Sequence, residues 1–135
     1  MKELTLDATT ANIPAVTDFV NEQLEARGCS MKVLAQIDIA IDELFGNIAH
    51  YAYDPGVGPA TVRVELTEEP PSAVITFIDE GVPFDPLKKE DPDTSLSAGE
   101  RQAGGLGIYM VKTSMDAVEY EYKDGQNIVK ITKKL

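Results

Sequence analysis

The chain is short of the features that mark secreted and membrane proteins. Its 135 residues include one cysteine, Cys29, and no tryptophan. A single thiol forms no disulfide within the chain and fits a reducing compartment, so we expect a cytoplasmic protein. Residues 1–5 lack the basic and then apolar stretch of a signal peptide. The apolar runs are far shorter than the ~20 residues that span a membrane, so no membrane segment is predicted.

Basic residues are also scarce. There are 12 Lys and Arg against 23 Asp and Glu, a formal charge of −11. Such a surface repels nucleic acid and anionic lipid, which we therefore exclude as partners. The imbalance is uneven, because residues 101–135 carry 6 basic and 4 acidic side chains. This least acidic part begins at Arg101, beside a glycine cluster where a polyphosphate would sit. A solvated acidic surface with a basic tail is the alternative interpretation.

What is present is an alternation of helix and strand patterns without repeats. The length and the 43% hydrophobic content suit a single domain, residues 1–135, with a real core. Helical spacing of apolar residues predicts helices at about 12–27, 30–51 and 105–114. Strands are predicted at about 2–7, 60–66, 73–78, 117–122 and 127–133. This order predicts an α+β two-layer sandwich, a mostly antiparallel sheet with helices on one face.

The first candidate motif pairs Glu43 with Asn47. Four residues apart on a helix, their side chains are neighbours, roughly 5–6 Å apart at Cβ. Asparagine offers Mg²⁺ a neutral oxygen ligand, and glutamate can accept a proton from an attacking hydroxyl or water. Gly46 costs the helix ~1 kcal/mol against alanine, so we expect something to approach that surface closely. An ordinary solvent-exposed helix face would contain the same pair.

The second motif begins at the end of a predicted strand. Asp79 can accept a hydrogen bond from the exocyclic amine of adenine, provided that Gly81 lets the backbone turn. Pro83 stiffens the exit from this turn, and Phe84 is a candidate wall of the base pocket. A plain turn is the alternative for this motif taken alone.

The third motif opens the predicted helix at 105–114 with Gly104, Gly105 and Gly107. Free N–H groups and the positive dipole end make such a helix start a phosphate site. Residues 85–103 form a long polar segment between the second and third motifs, and such segments are often active-site lids. Arg101 is the candidate to reach the phosphates, while Lys88 and Lys89 are weaker candidates. A loop-to-helix junction is the alternative for the glycines.

Together the three motifs resemble those of the GHKL ATPase superfamily, and within it the small bacterial anti-sigma-factor serine kinases. Residues 43–53 resemble its N box, residues 79–85 its first glycine box with proline at position 83, and residues 104–108 its second glycine box. The resemblance implies an α/β sandwich that binds ATP and Mg²⁺. It implies Glu43 as the general base and Asn47 as the Mg²⁺ ligand. It also implies Asp79 as the adenine acceptor.

The same resemblance implies what the protein acts on. The expected function is an anti-sigma factor and serine/threonine protein kinase that phosphorylates a small STAS-type antagonist. The expected partners are that antagonist, a sigma factor, or both, with a homodimer as the assembly. Relatives keep a phosphate-contacting arginine where this chain has Ala103, so Arg101 is displaced from the family pattern. An ATP-gated binding module without phosphotransfer is the alternative, and a partner-binding domain without nucleotide is a third.

Overall fold

The computed structural model describes residues 1–88 and 105–135, with side chains from Gly107 onward in the second segment. The strands are β1 Lys2–Asp7, β2 Pro59–Glu68, β3 Pro71–Asp79, β4 Ala117–Lys123 and β5 Gln126–Lys134. The helices are α1 Ile13–Ala26, α2 Met31–Asn47 and α3 Gly105–Ser114. Within these described ranges, no helix is long and apolar enough to cross a membrane.

The strands form one antiparallel sheet in the order β1-β2-β3-β5-β4. β1 lies at an edge. The pairs β2–β3 and β4–β5 are antiparallel hairpins, and β3 and β5 pair at the centre of the sheet. The α+β fold class is thereby confirmed. The central pairing places Asp79 of β3 opposite Asn127 of β5 at one end of the sheet.

The core lies between one face of the sheet and the helices. On α2, the predicted apolar stripe is the face that packs inward, and among its members Ile37, Ile41 and Phe45 are fully buried. From the sheet, Phe77 and Ile131 are buried at 1% exposure. This packing fixes the rotation of α2 about its own axis. The side chains beside the stripe therefore lie at the edge of the core.

The helix ends follow local sequence signals at most positions. Gly28 ends α1 with a positive φ of 76°, a backbone conformation that glycine adopts without strain. Ser30 caps α2, since its Oγ accepts from the N–H of Val33 at 3.2 Å. Asn12 occupies the N-cap position of α1 but makes no side-chain cap bond there. Its Nδ2 instead donates to the carbonyl of Asp7 at 2.8 Å, which ties the helix start to β1.

The end of α2 differs from the prediction. The sequence predicted a helix to about residue 51, but the α-helix ends at Asn47 and continues as a π-helical turn over Ile48–Ala52. A π turn takes in extra residues and often occurs at functional sites. Here it places Ala52 beside the loop after β3, where its carbonyl accepts from the N–H of Val82 at 2.9 Å.

Candidate functional site

A pocket opens where α2 ends against β3 and β5. The space enclosed within it is small, about 20 Å³, inside a region of about 320 Å³ that includes open solvent. Its lining is largely apolar, with three polar side chains. These residues are Leu44, Asn47, Ile48, Ala52, Asp79, Phe84, Pro86, Asn127 and Val129. The structure thus brings the predicted residues Asn47, Asp79 and Phe84 together around one cavity.

Asp79 is a buried carboxylate on the pocket wall, with 5% of its surface exposed. Its Oδ1 accepts from the N–H of Gly81 and from Nδ2 of Asn127, both at 2.9 Å. Burial raises the pKa of Asp79, and these two hydrogen bonds act in the opposite direction by favouring the charged form. Among the described residues both bonds fall on Oδ1, so Oδ2 is the oxygen left for a ligand donor.

Gly81 is required by close backbone packing. A Cβ at this position would lie 2.5 Å from the carbonyl carbon of Ala52 and 2.6 Å from its Cβ. No side chain fits there without moving the π turn. The second motif therefore holds the strand exit directly against the end of α2, on which Asn47 sits.

Phe84 forms part of the pocket lining, as its position in the second motif predicted. Its ring stacks on that of Tyr51 with 5.4 Å between centroids and 24° between planes. Tyr51 belongs to the π turn and is about half exposed, so it covers Phe84 from outside the pocket. Offset stacking of this kind fixes the orientation of the inner ring.

Glu43 and Asn47 lie on the side of α2 next to its apolar stripe, and both are half-buried. Only Asn47 lines the pocket. Glu43 lies one turn earlier on α2, next to the start of α3. A Cβ on Gly107 would lie 2.5 Å from Cδ of Glu43. The absence of a side chain at Gly107 is what lets the start of α3 come so close to this carboxylate. The first and third motifs therefore meet in space.

Some of the remaining predicted residues lie within the described ranges, and others lie outside them. Gly105 is the first residue of α3, a helix of ten residues whose start is thus next to Glu43. Arg101, Gly104 and Lys89 lie outside the described residues, as does most of the predicted lid. Lys88 ends a short 3₁₀ turn, Pro86–Lys88, and its side chain is exposed.

Gly46 is buried in α2, yet among the described residues no atom outside its own helix neighbourhood lies within 4 Å of an added Cβ. Packing of the described residues therefore does not account for the glycine, and the expected close approach to that surface stays a prediction. Nor do the described residues contain a cluster of three or more His, Cys, Asp or Glu suited to a metal ion. Asn47 alone would hold Mg²⁺ only together with ligand oxygens and water.

The sequence reasoning missed three polar residues that organise this pocket. Asn127 is 3% exposed and contacts Asp79 directly. Tyr120 donates its hydroxyl to Oδ1 of Asn127 at 2.5 Å. The hydroxyl of Tyr53 donates to the carbonyl of Pro59 at 2.6 Å and accepts from the N–H of Glu80 at 2.7 Å. The one available signal was Asn127 itself, an amide on the strand face that also carries the buried Val129 and Ile131.

The geometry now defines a class of protein. A buried acceptor in an apolar pocket, an amide beside it, and a carboxylate against a glycine-rich helix start together form the parts of a nucleotide-binding domain. Residues 6–133 match the model of the histidine kinase-like ATPase domain. The chain belongs to that family.

Three named relatives agree with this assignment. Serine/threonine-protein kinase BtrW of Bordetella bronchiseptica is 28% identical over 130 residues, covering 96% of this chain and 89% of that protein. Anti-sigma F factor of Caldanaerobacter subterraneus is 27% identical over 105 residues, covering 77% and 72%. Serine-protein kinase RsbW of Bacillus cereus is 30% identical over 100 residues, covering 71% and 61%.

Proposed function

We propose that this protein is an ATP-dependent serine/threonine kinase that acts as an anti-sigma factor and phosphorylates a small antagonist protein. The observation that carries the proposal is the meeting of Glu43 with Gly107 at the start of α3, beside a pocket that contains Asn47 and Asp79. We assign Glu43 as the proton acceptor, Asn47 as the metal-ligand amide and Asp79 as the acceptor for the base. The names of the three relatives support the kinase and anti-sigma roles.

The pocket supports adenine as the base. Apolar side chains line it, Phe84 offers a ring face, and Asp79 offers an acceptor to the exocyclic amine. From this pocket the phosphates would extend past Asn47 towards Gly105 and Gly107, where helix α3 presents free N–H groups. Asn47 would hold Mg²⁺ together with phosphate oxygens and water, and the ion would supply neutralisation of the phosphate charge.

The chemical step assigned to Glu43 is proton acceptance. The hydroxyl oxygen of a serine or threonine on the antagonist attacks the γ-phosphorus of ATP. The bond from that phosphorus to the bridging oxygen breaks, ADP leaves, and the hydroxyl proton passes to Glu43. Catalysis of this kind depends mainly on positioning and charge neutralisation, with the base orienting the nucleophile. Sigma factor binding and a homodimer belong to the same proposal and draw on the family resemblance.

The test compares Glu43→Gln with Asp42→Asn. Both substitutions remove one negative charge from α2, but Asp42 is exposed and is not part of the pocket lining. We expect Glu43→Gln to lower phosphotransfer by roughly 10²–10⁴-fold, the usual share of a general base. ATP binding should be retained in both variants, and Asp42→Asn should transfer phosphate normally. The assay is label transfer from ATP to proteins that co-purify with the chain from its native cell.

Three results can be told apart. Unchanged transfer in Glu43→Gln would remove Glu43 from the mechanism. A partner that binds only with ATP but never takes label would instead make the chain a nucleotide-gated binding module. Absence of ATP binding would refute the site itself, and thermal unfolding detects it, since a ligand at 100 times its Kd adds ~2.7 kcal/mol of stability. We expect that stabilisation to require Mg²⁺.

A further inference from the structure

The side chain of Asn127 has every hydrogen-bonding direction occupied by the protein. Its Nδ2 donates to Oδ1 of Asp79 at 2.9 Å, to the carbonyl of Val82 at 2.8 Å and, at 3.4 Å, to that of Gly81. Its Oδ1 accepts from the N–H of Phe84 at 3.1 Å and from the hydroxyl of Tyr120 at 2.5 Å. Acceptors surround one end of the amide and donors the other. No other side chain of this size offers both sets.

The sheet register makes this possible. Asn127 lies opposite Asp79 in the β3–β5 pair and opposite Tyr122 in the β4–β5 pair, near the end of both. Directly opposed residues of an antiparallel pair have Cβ atoms roughly 4.5–5.5 Å apart, which a carboxylate and an amide can span. Asn127 therefore sits where the sheet ends and the loop of the second motif begins.

One consequence concerns the orientation of Asp79. The amide of Asn127 and the N–H of Gly81 both donate to Oδ1, which fixes the orientation of the carboxylate and leaves Oδ2 as the oxygen for a ligand donor. Burial raises the pKa of this carboxyl group, while the Asn127 bond favours its charged form. An ionised carboxylate accepts from the amine of adenine. It repels the carbonyl oxygen that guanine presents at the same place.

The second consequence concerns the loop over residues 81–84. The same amide holds the carbonyl of Val82 and the N–H of Phe84, the two sides of the turn that delivers Phe84 to the pocket. Tyr120 steadies the amide from the neighbouring strand, and burial raises the pKa of its hydroxyl, which stays a donor. Phe84, the wall of the base pocket, and Asp79, the acceptor for the base, are thus both held in place by Asn127.

We propose that Asn127 is the positioning residue that sets base selectivity at this site, by fixing both the Asp79 carboxylate and the loop that carries Phe84. The proposal rests on the proposed function in one respect, that the pocket takes the base of a purine nucleotide. It assigns no contact between Asn127 and the nucleotide, because its donors and acceptors are already used by the protein. Its effect is transmitted through Asp79 and Phe84.

The test uses two substitutions, one that removes only the donor half of the amide and one that removes the whole amide. Asn127→Asp keeps the shape and the acceptor for Phe84 and Tyr120 but loses the donor towards Asp79. Asn127→Ala loses both. The dissociation constants of ATP and GTP, with Mg²⁺, are measured by calorimetry from pH 6 to 8. Circular dichroism and thermal unfolding without nucleotide establish that each variant is folded.

We expect both variants to bind ATP about 10- to 100-fold more weakly at pH 8, with a smaller preference for ATP over GTP. Asn127→Asp should recover affinity towards pH 6, because two adjacent buried carboxyl groups share a proton and that proton restores a donor to Asp79. Asn127→Ala has no proton to gain, so its deficit should not change with pH. A role confined to stability would not produce this difference.

The outcomes separate this proposal from the proposed function. If the unaltered protein binds neither nucleotide, the pocket assignment fails. If it prefers ATP but the folded Asn127 variants keep the same ATP-to-GTP ratio, the role of Asn127 is overturned while the site stands. A deficit of Asn127→Asp that is equal at every pH also overturns it. If Asn127→Asp does not fold, Tyr120→Phe tests the same role, because it removes the hydroxyl that donates to Asn127. We then expect a smaller loss of the preference for ATP over GTP.

Discussion

The two ends of the candidate site are built differently. The base end, formed by Asp79, Gly81, Phe84 and Asn127, is a closed set of hydrogen bonds at the end of the sheet. The proposed catalytic end consists of Glu43, Asn47 and Gly107 and is formed by helix packing, where a missing side chain permits close approach. Strand register supports the first, and the contact of α2 with α3 supports the second.

This difference has a functional meaning. An end whose side chains are already held in place by hydrogen bonds within the protein is preorganised, so its substitutions should act on affinity and base choice. A helix-packed end positions a reacting group, so its substitutions should act on the rate of transfer. The expected effects below test that separation, beginning with the largest.

Gly107→Ala should disrupt the proposed catalytic end. The added Cβ would lie 2.5 Å from Cδ of Glu43, so either the carboxylate or α3 must shift. A displacement of about 1 Å at a catalytic group costs ~10²-fold in rate. We expect phosphotransfer to fall by about that factor, measured by label transfer at saturating ATP.

A double-mutant cycle shows whether this loss acts through Glu43. In a chain that already carries Glu43→Gln, adding Gly107→Ala should lower transfer little further, because the two substitutions share one interaction. Fully multiplicative losses would mean that Gly107 serves the phosphates independently of Glu43.

Asp79→Asn should act at the base end. The new amide keeps an oxygen for Gly81 and Asn127 but presents N–H donors to the adenine amine, which is itself a donor. We expect ATP affinity to fall about 10- to 100-fold, as when a buried hydrogen bond loses its partner. Glu80→Gln is the matched control, since Glu80 is the exposed neighbour. Retained affinity in Asp79→Asn would refute the adenine assignment.

The same variant should be more stable than the unaltered protein at neutral pH. Because burial raises the pKa of Asp79 above its ordinary 3.8, the folded state holds this proton more tightly than the unfolded state. Stability from this group is greatest below pH 3.8 and is lost as pH rises through the raised pKa. Asp79→Asn removes that loss. Thermal unfolding without nucleotide should show a gain for Asp79→Asn at pH 7 that shrinks towards pH 3.5.

Gly46→Ala should have the smallest effect. The position is helical, and the space around an added Cβ is clear of described atoms from other segments. We expect the free energy of unfolding without nucleotide to rise by about 0.5–1 kcal/mol, the propensity difference between the two residues. Urea titration measures it. Weaker ATP binding in this more stable variant would show that the ligand is what requires the glycine.

Sequence patterns predicted much of this molecule because they are local. The stripe on α2 and the pair Glu43 and Asn47 depend only on helical spacing, and the bounds of α3 follow from glycines at one end of an apolar run. The end of α2, which the sequence predicted at about residue 51 and the structure has at Asn47, shows where local patterns fail. Nothing in residues 48–52 distinguishes a π turn from an α-helix, because what holds it is the loop after β3, packed against Ala52.

The sequence by itself determined the α+β order of elements, the acidic surface and the three motifs with their candidate residues. Only the tertiary structure decided that Asn127 faces Asp79 across 48 positions of sequence, and that Gly107 lies against Glu43. The physical reason is that helical and strand periodicities fix which way a side chain points within its own element. Which residue it meets depends on strand register and helix packing, set by burial of the whole core.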